Sequence, residues 1–430
     1  MPTTRQSALL ARAIATDLAT APDALRRAAL LACADALEAN APAIFAANAD
    51  DLARAAAEGL AMPLQKRLRF DQKKLHEVCD ELRALCGLPD PLGRTLMATR
   101  LADGLDLYRV SCPIGVIGVI FESRPDALVQ IAALCLRSGN AVLLKGGREA
   151  LQTCRALFQA MDAAIRGAGL PEGWGALLET RADVAEMLGM DDCIDLLIPR
   201  GSNAFVRHIM DNSRIPVLGH ADGVCHAYVD QAANLETAIP VVVDSKAQYP
   251  AVCNAIETLL VHQVIAPVAL PRLNDALRAA GVTLRGCERT RAIIDCDTAE
   301  DADFGAEYLD LIIAVKVVDS LDAAIAHINR HGSGHTDVIL TEDADAARAF
   351  LARVDSAGVY WNCSTRFADG YRYGLGAELG IATGKVHARG PMGLEGLCTY
   401  KYKLLGHGQT VGGGVEYLHA PIDTPCPMEE

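Results

Sequence analysis

The sequence has no unbroken apolar run of 18 residues, and its start (Met1-Pro2-Thr3-Thr4-Arg5) lacks the residue order of a secretory leader. We therefore expect a cytoplasmic protein without a membrane partner. Positive charge is also scarce, because 40 Lys and Arg stand against 54 Asp and Glu, a net charge of −14. Nucleic-acid-binding domains usually concentrate basic residues, so nucleic acid is disfavoured as a partner.

None of the 14 cysteines stands in a CxxC pair, which disfavours zinc ribbons and thioredoxin-type centres. Their scattered positions predict reduced, mostly buried thiols and no metal site. Neither a GxGxxG nor a GxxxxGK[ST] motif occurs, so the common nucleotide-binding fingerprints assign no site here.

The composition supports a large buried core, since 51% of the 430 residues are hydrophobic and 22% are charged. At about 150 residues per domain, the length predicts two or three domains. Residues 4–60 and 63–88 place apolar side chains at helical spacing, and residues 105–110 alternate as in an antiparallel strand.

Later segments alternate strands with helices, the pattern of a doubly wound parallel sheet. Apolar runs that suit strands occur at 114–121, 140–145, 176–179, 194–198 and 215–218. A second α/β set begins near residue 230, with strand-like runs at 258–262, 310–318, 337–340 and 357–361. The predicted fold class is therefore α/β.

Loops at residues 122–125, 145–148 and 199–203 each join a predicted strand to a predicted helix. In open α/β sheets, ligands bind at the carboxyl ends of the strands. Helix N-termini favour anions there, and Lys145 and Arg148 add positive charge. These loops predict a site for a dinucleotide phosphate.

Cys253 follows Pro250 in a loop ahead of an apolar run, a position that suits a nucleophile. Taken alone, a cysteine in such a position is more often a small buried apolar side chain than a nucleophile. The sequence places no histidine beside it, so the choice of a base stays open. The candidate histidines are His208, His220, His226, His262, His331 and His335.

Seven segments together resemble the gamma-glutamyl phosphate reductases, a family of the aldehyde dehydrogenase superfamily also called glutamate-5-semialdehyde dehydrogenases. They lie at 112–125, 144–150, 199–203, 219–226, 250–255, 361–370 and 376–381. The resemblance extends from about residue 5 to 415, with the segments in the expected order.

This resemblance implies an aldehyde-dehydrogenase-like fold with a Rossmann-type cofactor domain, an α/β catalytic domain and a small β-hairpin used in homo-oligomers. The expected boundaries are 1–101 and 114–229 for the NADP-binding domain, 230–395 for the catalytic domain, 102–113 and 396–420 for the oligomerisation elements, and 421–430 for a tail.

The resemblance also implies cofactor-binding residues. Lys145 matches the lysine that holds the adenosine ribose, and Gly201 and Ser202 match the helix start near the cofactor. Arg148 stands where NAD-preferring relatives carry a glutamate, so we expect it to pair with a 2′-phosphate and to favour NADPH. Glu307 resembles the glutamate that holds the nicotinamide ribose.

For catalysis, Cys253 takes the place of the catalytic cysteine. The Glu general base of hydrolytic relatives is absent from the comparable region, 218–223, and their oxyanion Asn is absent around 121–123. The backbone N–H of Cys253 and the side chain of Asn254 are candidate oxyanion donors. Arg124 and Arg366 are candidate contacts for the anionic groups of the substrate.

The implied activity is NADPH-dependent reduction of L-glutamyl 5-phosphate to L-glutamate 5-semialdehyde and phosphate through a cysteine thioester. This is the second step of proline biosynthesis from glutamate, with glutamate 5-kinase as a candidate partner. Two alternatives stay open. An aldehyde dehydrogenase that acylates coenzyme A would not depend on phosphate, and an inactive scaffold would not need the cysteine and the cofactor loops.

Overall fold

The computed structural model describes residues 3–122, 124–219, 222–413 and 416–429. The helices are α1 (Thr4–Thr20), α2 (Asp23–Ala39), α3 (Ala41–Ala57), α4 (Met62–Leu68), α5 (Gln72–Cys86), α6 (Pro125–Arg137), α7 (Leu151–Gly167), α8 (Arg181–Met187), α9 (Asn203–Asn212), α10 (Leu235–Ala247), α11 (Ala266–Ala279), α12 (Glu288–Arg291), α13 (Leu321–His331) and α14 (Ala344–Arg353). The strands are β1 (Thr95–Ala102), β2 (Leu105–Pro113), β3 (Val116–Phe121), β4 (Ala141–Lys145), β5 (Gly175–Leu178), β6 (Leu196–Arg200), β7 (Cys225–Val229), β8 (Ile256–His262), β9 (Thr283–Gly286), β10 (Asp297–Thr298), β11 (Ile312–Val318), β12 (Thr336–Leu340), β13 (Gly358–Trp361), β14 (Ile381–Ala382), β15 (Gly390–Pro391), β16 (Cys398–Leu405) and β17 (Ala420–Pro421).

The chain divides into two compact units. Unit 1 contains Met1–Leu218, Leu375–Gly380 and Met392–Glu430, and unit 2 contains Gly219–Gly374 and Ile381–Pro391. The division falls before the expected boundary at residue 229, because β7 pairs within the sheet of unit 2.

Unit 1 contains a four-stranded parallel sheet in the order β5-β4-β3-β6. Every residue of β3 and β4 is buried, as their continuous apolar sequences predict. The predicted strand at 215–218 is reduced to a single bridge between Leu197 and Val217. Short connections and a sheet covered by helices confirm the α/β class for this unit.

A second sheet of unit 1 is antiparallel and has the order β16-β2-β1-β17. It contains the strand predicted at 105–110. Residues 421–430, expected to be a tail, begin within β17, and the Cys426 N–H donates to Thr95 Oγ1 at 2.8 Å. Strand β16 exposes Tyr400, Tyr402 and Leu404.

Unit 2 contains a parallel sheet in the order β10-β9-β11-β8-β7-β12-β13. The four strand-like runs predicted after residue 230 appear as β8, β11, β12 and β13. Strand β7 lies inside the sheet, between β8 and β12, but was not predicted, because His226 interrupts its apolar sequence. His226 is buried there with its Nδ1 2.9 Å from Asp337 Oδ1.

Within the described ranges, no single helix has the length and apolar character needed to cross a membrane. Helices α2 and α3 meet that criterion only as a pair, which is bent by 68°.

Helix α3 supports the loop that follows β4 through a buried carboxylate. Asp51 is fully buried and accepts hydrogen bonds from the Thr153 N–H and hydroxyl, both at 2.8 Å, at the start of α7. Arg54 pairs with Asp51 at 2.5 Å and donates to the Arg148 carbonyl at 3.2 Å. Hydrogen bonds from α3 therefore hold the predicted phosphate loop at residues 145–148 and the start of α7.

We predict that Asp51→Ala lowers the free energy of unfolding by about 3 kcal/mol, because it leaves buried donors without acceptors. Urea denaturation followed by circular dichroism measures this change. The exposed neighbour supplies a control, since Asp50→Ala should change stability by less than about 0.5 kcal/mol. Equal effects of the two substitutions would contradict the anchoring role of Asp51.

Candidate active site

The polar residues of the candidate site in unit 2 lie at the amino ends of adjacent parallel strands. The sheet order places β11, β8, β7 and β12 side by side. Glu307 precedes β11, Cys253 precedes β8, Gly223 precedes β7 and His335 directly precedes β12. Because these strands run in the same direction, the residues that precede them share one edge of the sheet.

The central contact joins a thiol to an imidazole. Cys253 Sγ lies 3.2 Å from Nε2 of His335, and His335 is fully buried. His335 Nδ1 lies 2.9 Å from the Thr336 hydroxyl oxygen. In the tautomer in which Nδ1 donates to that oxygen, Nε2 is an acceptor for the thiol proton. The arrangement is that of a cysteine nucleophile with an adjacent base.

The backbone around Cys253 is closely packed. A Cβ atom at Gly223 would lie 2.5 Å from both Cα and Cβ of Cys253, so no side chain fits at position 223. The Cys225 thiol donates to the Cys253 carbonyl at 3.1 Å. Burial raises the pKa of Cys225 well above its usual value, so Cys225 is a poor thiolate.

Of the candidate histidines, the structure brings His335 to Cys253. The others have different surroundings: His226 pairs with Asp337, His208 contacts Asn212, His262 accepts the Val264 N–H, and His331 stacks on His327. His220 lies outside the described residues.

Asn254 connects the Cys253 loop to a neighbouring segment. Its side-chain Nδ2 donates to the Ala368 carbonyl at 2.8 Å. The backbone carbonyl of Asn254 accepts a hydrogen bond from the Thr365 hydroxyl at 2.7 Å. Because one N–H of the amide is engaged in this way, the side chain fixes the loop. Its oxyanion role stays a prediction beside that of the Cys253 N–H.

Arg366 is brought close to the nucleophile by the same segment. Its Nε donates to Gln248 Oε1 at 2.9 Å, and 91% of the residue's surface is buried. Burial lowers the pKa of Arg366, while the negative charge of a Cys253 thiolate raises it. The role of Arg366 as a contact for an anionic substrate group stays a prediction.

In unit 1, the sheet order places the ends of β4, β3 and β6 together, which confirms the predicted grouping of the three loops. Lys145 is 6% exposed at the end of β4, and its ammonium bonds to the Gly146 carbonyl. The Ser202 N–H donates to Glu122 Oε2 at 3.2 Å. A Cβ atom at Gly201 would lie 2.7 Å from that same carboxylate oxygen, so the Glu122 side chain would have to shift to admit one.

The two exposed arginines of this edge both have acidic partners. Arg148 Nη2 lies 2.6 Å from Glu58 Oε2, and Arg124 Nη2 lies 3.0 Å from Asp126 Oδ2. The Arg148 side chain is 78% exposed, so its guanidinium is accessible to a phosphate in solution.

Comparisons with known proteins agree with this arrangement. The model of the aldehyde dehydrogenase family matches residues 6–290. The chain is 59% identical to the gamma-glutamyl phosphate reductase of Pelotomaculum thermopropionicum over 395 residues, which cover 92% of this chain and 91% of that protein. The chain belongs to the gamma-glutamyl phosphate reductases of the aldehyde dehydrogenase family.

Two further relatives support the assignment of this reductase. The enzyme of Acetivibrio thermocellus is 58% identical, with 92% of this chain and 91% of that protein covered. The crystal structure of the gamma-glutamyl phosphate reductase of Thermotoga maritima superposes with a TM-score of 0.93 at 40% identity, covering 95% of this chain and all of that one. The resemblance and the predicted aldehyde-dehydrogenase-like fold are confirmed. The reductase is an oxidoreductase of a family that uses a nicotinamide cofactor.

Sequence reasoning missed which histidine faces the thiol of the reductase, and it missed a buried pair formed by Lys246 and Glu257. The sequence analysis searched the carboxyl ends of the predicted strands, where the loops of unit 1 lie. Cys253, His335 and Glu257 lie instead at the amino ends of strands in unit 2. A signal was present, since both His335 and Cys253 stand directly ahead of buried strands.

We predict that His335→Gln slows alkylation of Cys253 by iodoacetamide by about tenfold or more at neutral pH, because the amide cannot accept the thiol proton. The pH at half-maximal rate should move upward. Peptide mass spectrometry of the Cys253 peptide measures the rate for this thiol alone. The exposed His76 serves as the control, and His76→Gln should leave the rate unchanged. A normal rate in His335→Gln would refute the activating role.

Proposed function

We propose that this reductase converts L-glutamyl 5-phosphate to L-glutamate 5-semialdehyde and phosphate, with NADPH as the reductant and a thioester on Cys253 as the intermediate. The observation that carries the proposal is the 3.2 Å contact between Cys253 Sγ and His335 Nε2. The names of the relatives supply the substrate, and the place in proline biosynthesis is what the family resemblance implies.

His335 accepts the proton of Cys253 as the sulfur attacks the acyl carbon. The new S–C bond replaces the bond from carbon to the phosphate oxygen, and phosphate leaves with that electron pair. This covalent step divides one difficult reaction into two easier ones. When the aldehyde later departs, the sulfur regains its electron pair and His335 returns the proton.

Residues of unit 1 suit the phosphates of a dinucleotide. The strand-to-helix turn at Gly201 and the nearly buried Lys145 fit the backbone approach and positive charge that such a ligand requires. The family resemblance implies two further contacts, in which Arg148 would hold the 2′-phosphate and Glu307 would hold the nicotinamide ribose. NADPH, when bound, supplies the hydride that reduces the thioester carbonyl.

The region beside Cys253 lacks a carboxylate that could activate water, which favours phosphate over water as the group that reacts with the thioester. Position 223 lies against Cys253 and admits no side chain, and the region 218–223 lacks the glutamate of hydrolytic relatives. Arg366 would attract the phosphate or carboxylate of the substrate by charge-assisted hydrogen bonds, as would Arg124.

In this proposal, unit 2 carries the catalytic cysteine, and the cofactor-binding residues other than Glu307 lie in unit 1. The sheet β16-β2-β1-β17 would form the homo-oligomer through the exposed apolar side chains of β16. Glutamate 5-kinase, as the source of the acyl phosphate, would be the partner enzyme. A reducing compartment such as the cytoplasm would keep Cys253 in the thiol state.

The proposal is tested by NADP⁺ reduction with glutamate 5-semialdehyde in the presence and absence of inorganic phosphate. We expect NADPH formation to depend strictly on phosphate, because phosphate resolves the thioester. Equal rates without phosphate would refute the proposal, and a requirement for coenzyme A would favour an acylating aldehyde dehydrogenase.

Two cysteine variants complete this experiment. Cys253→Ser should lower turnover by about a thousandfold or more while NADP⁺ binding is retained, because the hydroxyl is a far weaker nucleophile. Cys296→Ser changes a half-buried thiol elsewhere in unit 2 and should leave turnover unchanged.

We predict that Arg148→Glu lowers the ratio of kcat/KM for NADPH over NADH by about tenfold or more, because a carboxylate repels the 2′-phosphate. Steady-state kinetics with both cofactors measures the ratio. Arg166→Glu, at an exposed arginine of α7, controls for the change of charge. If both variants alter the ratio equally, Arg148 has no specific role in cofactor choice.

A further inference from the structure

A buried ion pair in unit 2 is formed by Lys246 and Glu257, which lie on either side of Cys253 in the sequence. The pair has no role in the reaction described above. Lys246, near the end of α10, places Nζ 2.5 Å from Oε2 of Glu257 in β8, and both residues are fully buried. Lys246 precedes Cys253 and Glu257 follows it, so the pair closes the chain segment that carries the nucleophile.

The pair also contacts the loop at 307–310. Glu257 Oε1 accepts the Leu309 N–H at 3.4 Å, and Lys246 Nζ lies 6.0 Å from the centre of the Tyr308 ring. Glu307 is close enough for its charge to raise the pKa of Glu257. The same two side chains thus connect the Cys253 segment with the loop that carries Glu307.

The loop needs support from outside its own backbone. Leu309 has a φ of 54°, in the left-handed region that is unfavourable for a residue with a Cβ atom. Such conformations persist where the surroundings determine them strongly. Glu257 provides part of this support through its bond to the Leu309 N–H.

Stability of the fold alone does not explain the pair. Burial raises the pKa of Glu257 to about 7 and lowers that of Lys246, so both charges are held at a desolvation cost. An apolar pair of similar volume supports a core equally well or better. It would, however, provide no acceptor for the Leu309 N–H.

We propose that Lys246 and Glu257 are positioning residues that fix the loop at 307–310, and with it Glu307, relative to the segment carrying Cys253. This inference rests on the proposed function, in which Glu307 holds the nicotinamide ribose. The pair thereby determines how the nicotinamide end of the cofactor is held in unit 2.

The test uses the double variant K246M/E257L in the full chain, which avoids an unpaired buried charge. We expect faster hydrogen exchange in peptides spanning 305–311 and a KM for NADPH raised by about tenfold or more. Alkylation of Cys253 should keep its wild-type rate. A purely structural role would lower the active fraction, and hence kcat, without changing KM.

A conservative variant and a matched control sharpen the result. K246M/E257Q retains a side-chain oxygen for the Leu309 N–H and should restore slow exchange and a low KM. R272M/E236L makes equivalent changes in an exposed ion pair between α10 and α11, where the atoms are 2.8 Å apart, and should change neither. If K246M/E257Q behaves like K246M/E257L, the bond to Leu309 is not the cause and the proposal fails.

Coupling to Glu307 gives an independent criterion. The increase in KM caused by K246M/E257L should largely disappear in a Glu307→Ala background, because groups that act through one residue are not additive. The inference would be overturned if the effects of K246M/E257L and Glu307→Ala on KM were fully additive. It would also be overturned if K246M/E257L left hydrogen exchange at 305–311 and the affinity for NADP⁺ unchanged. Hydrogen exchange and NADP⁺ affinity need no turnover, so an inactive wild-type chain would refute the proposed function alone.

Discussion

Burial of the parallel sheet in unit 2 confines polar groups to the ends of its strands, and the candidate site depends on this constraint. The interior of β7 and β8 is buried on both faces, so a reactive side chain is accessible only before or after a strand. Cys253 and His335 satisfy this condition at the amino ends of strands separated by β7 alone. The close contact between thiol and imidazole is thus a consequence of strand order.

The same packing limits which chemistry the thiol can perform. Gly223 lies so close to Cys253 that a side chain at that position would displace the nucleophile. A carboxylate that could activate water therefore has no place at position 223. In the proposed mechanism, this would leave the thioester on Cys253 to exchange with phosphate.

Much of the fold could be predicted from the sequence, because long apolar runs and helical spacing are local properties of the chain. The strand at 225–229 could not, since His226 breaks its apolar pattern and finds its partner, Asp337, only in the folded sheet. The loops at Lys145 and Gly201 were located by a general rule for parallel sheets. The partner of Cys253 was not, because residues 82 positions apart meet only through strand order.

The two arginines proposed to contact the anionic substrate, Arg124 and Arg366, differ in burial and in hydrogen-bond partners. Arg124 is held by the carboxylate of Asp126, so a substrate anion must compete with an existing negative charge. Arg366 is held through Nε by the neutral amide of Gln248, and the negative charges of Asp369 and Asp244 also act on its guanidinium. A partly buried guanidinium attracts an anion more strongly than an exposed one, because less water screens the interaction. Of the two proposed anion contacts, we therefore expect the more deeply buried Arg366 to be the stronger.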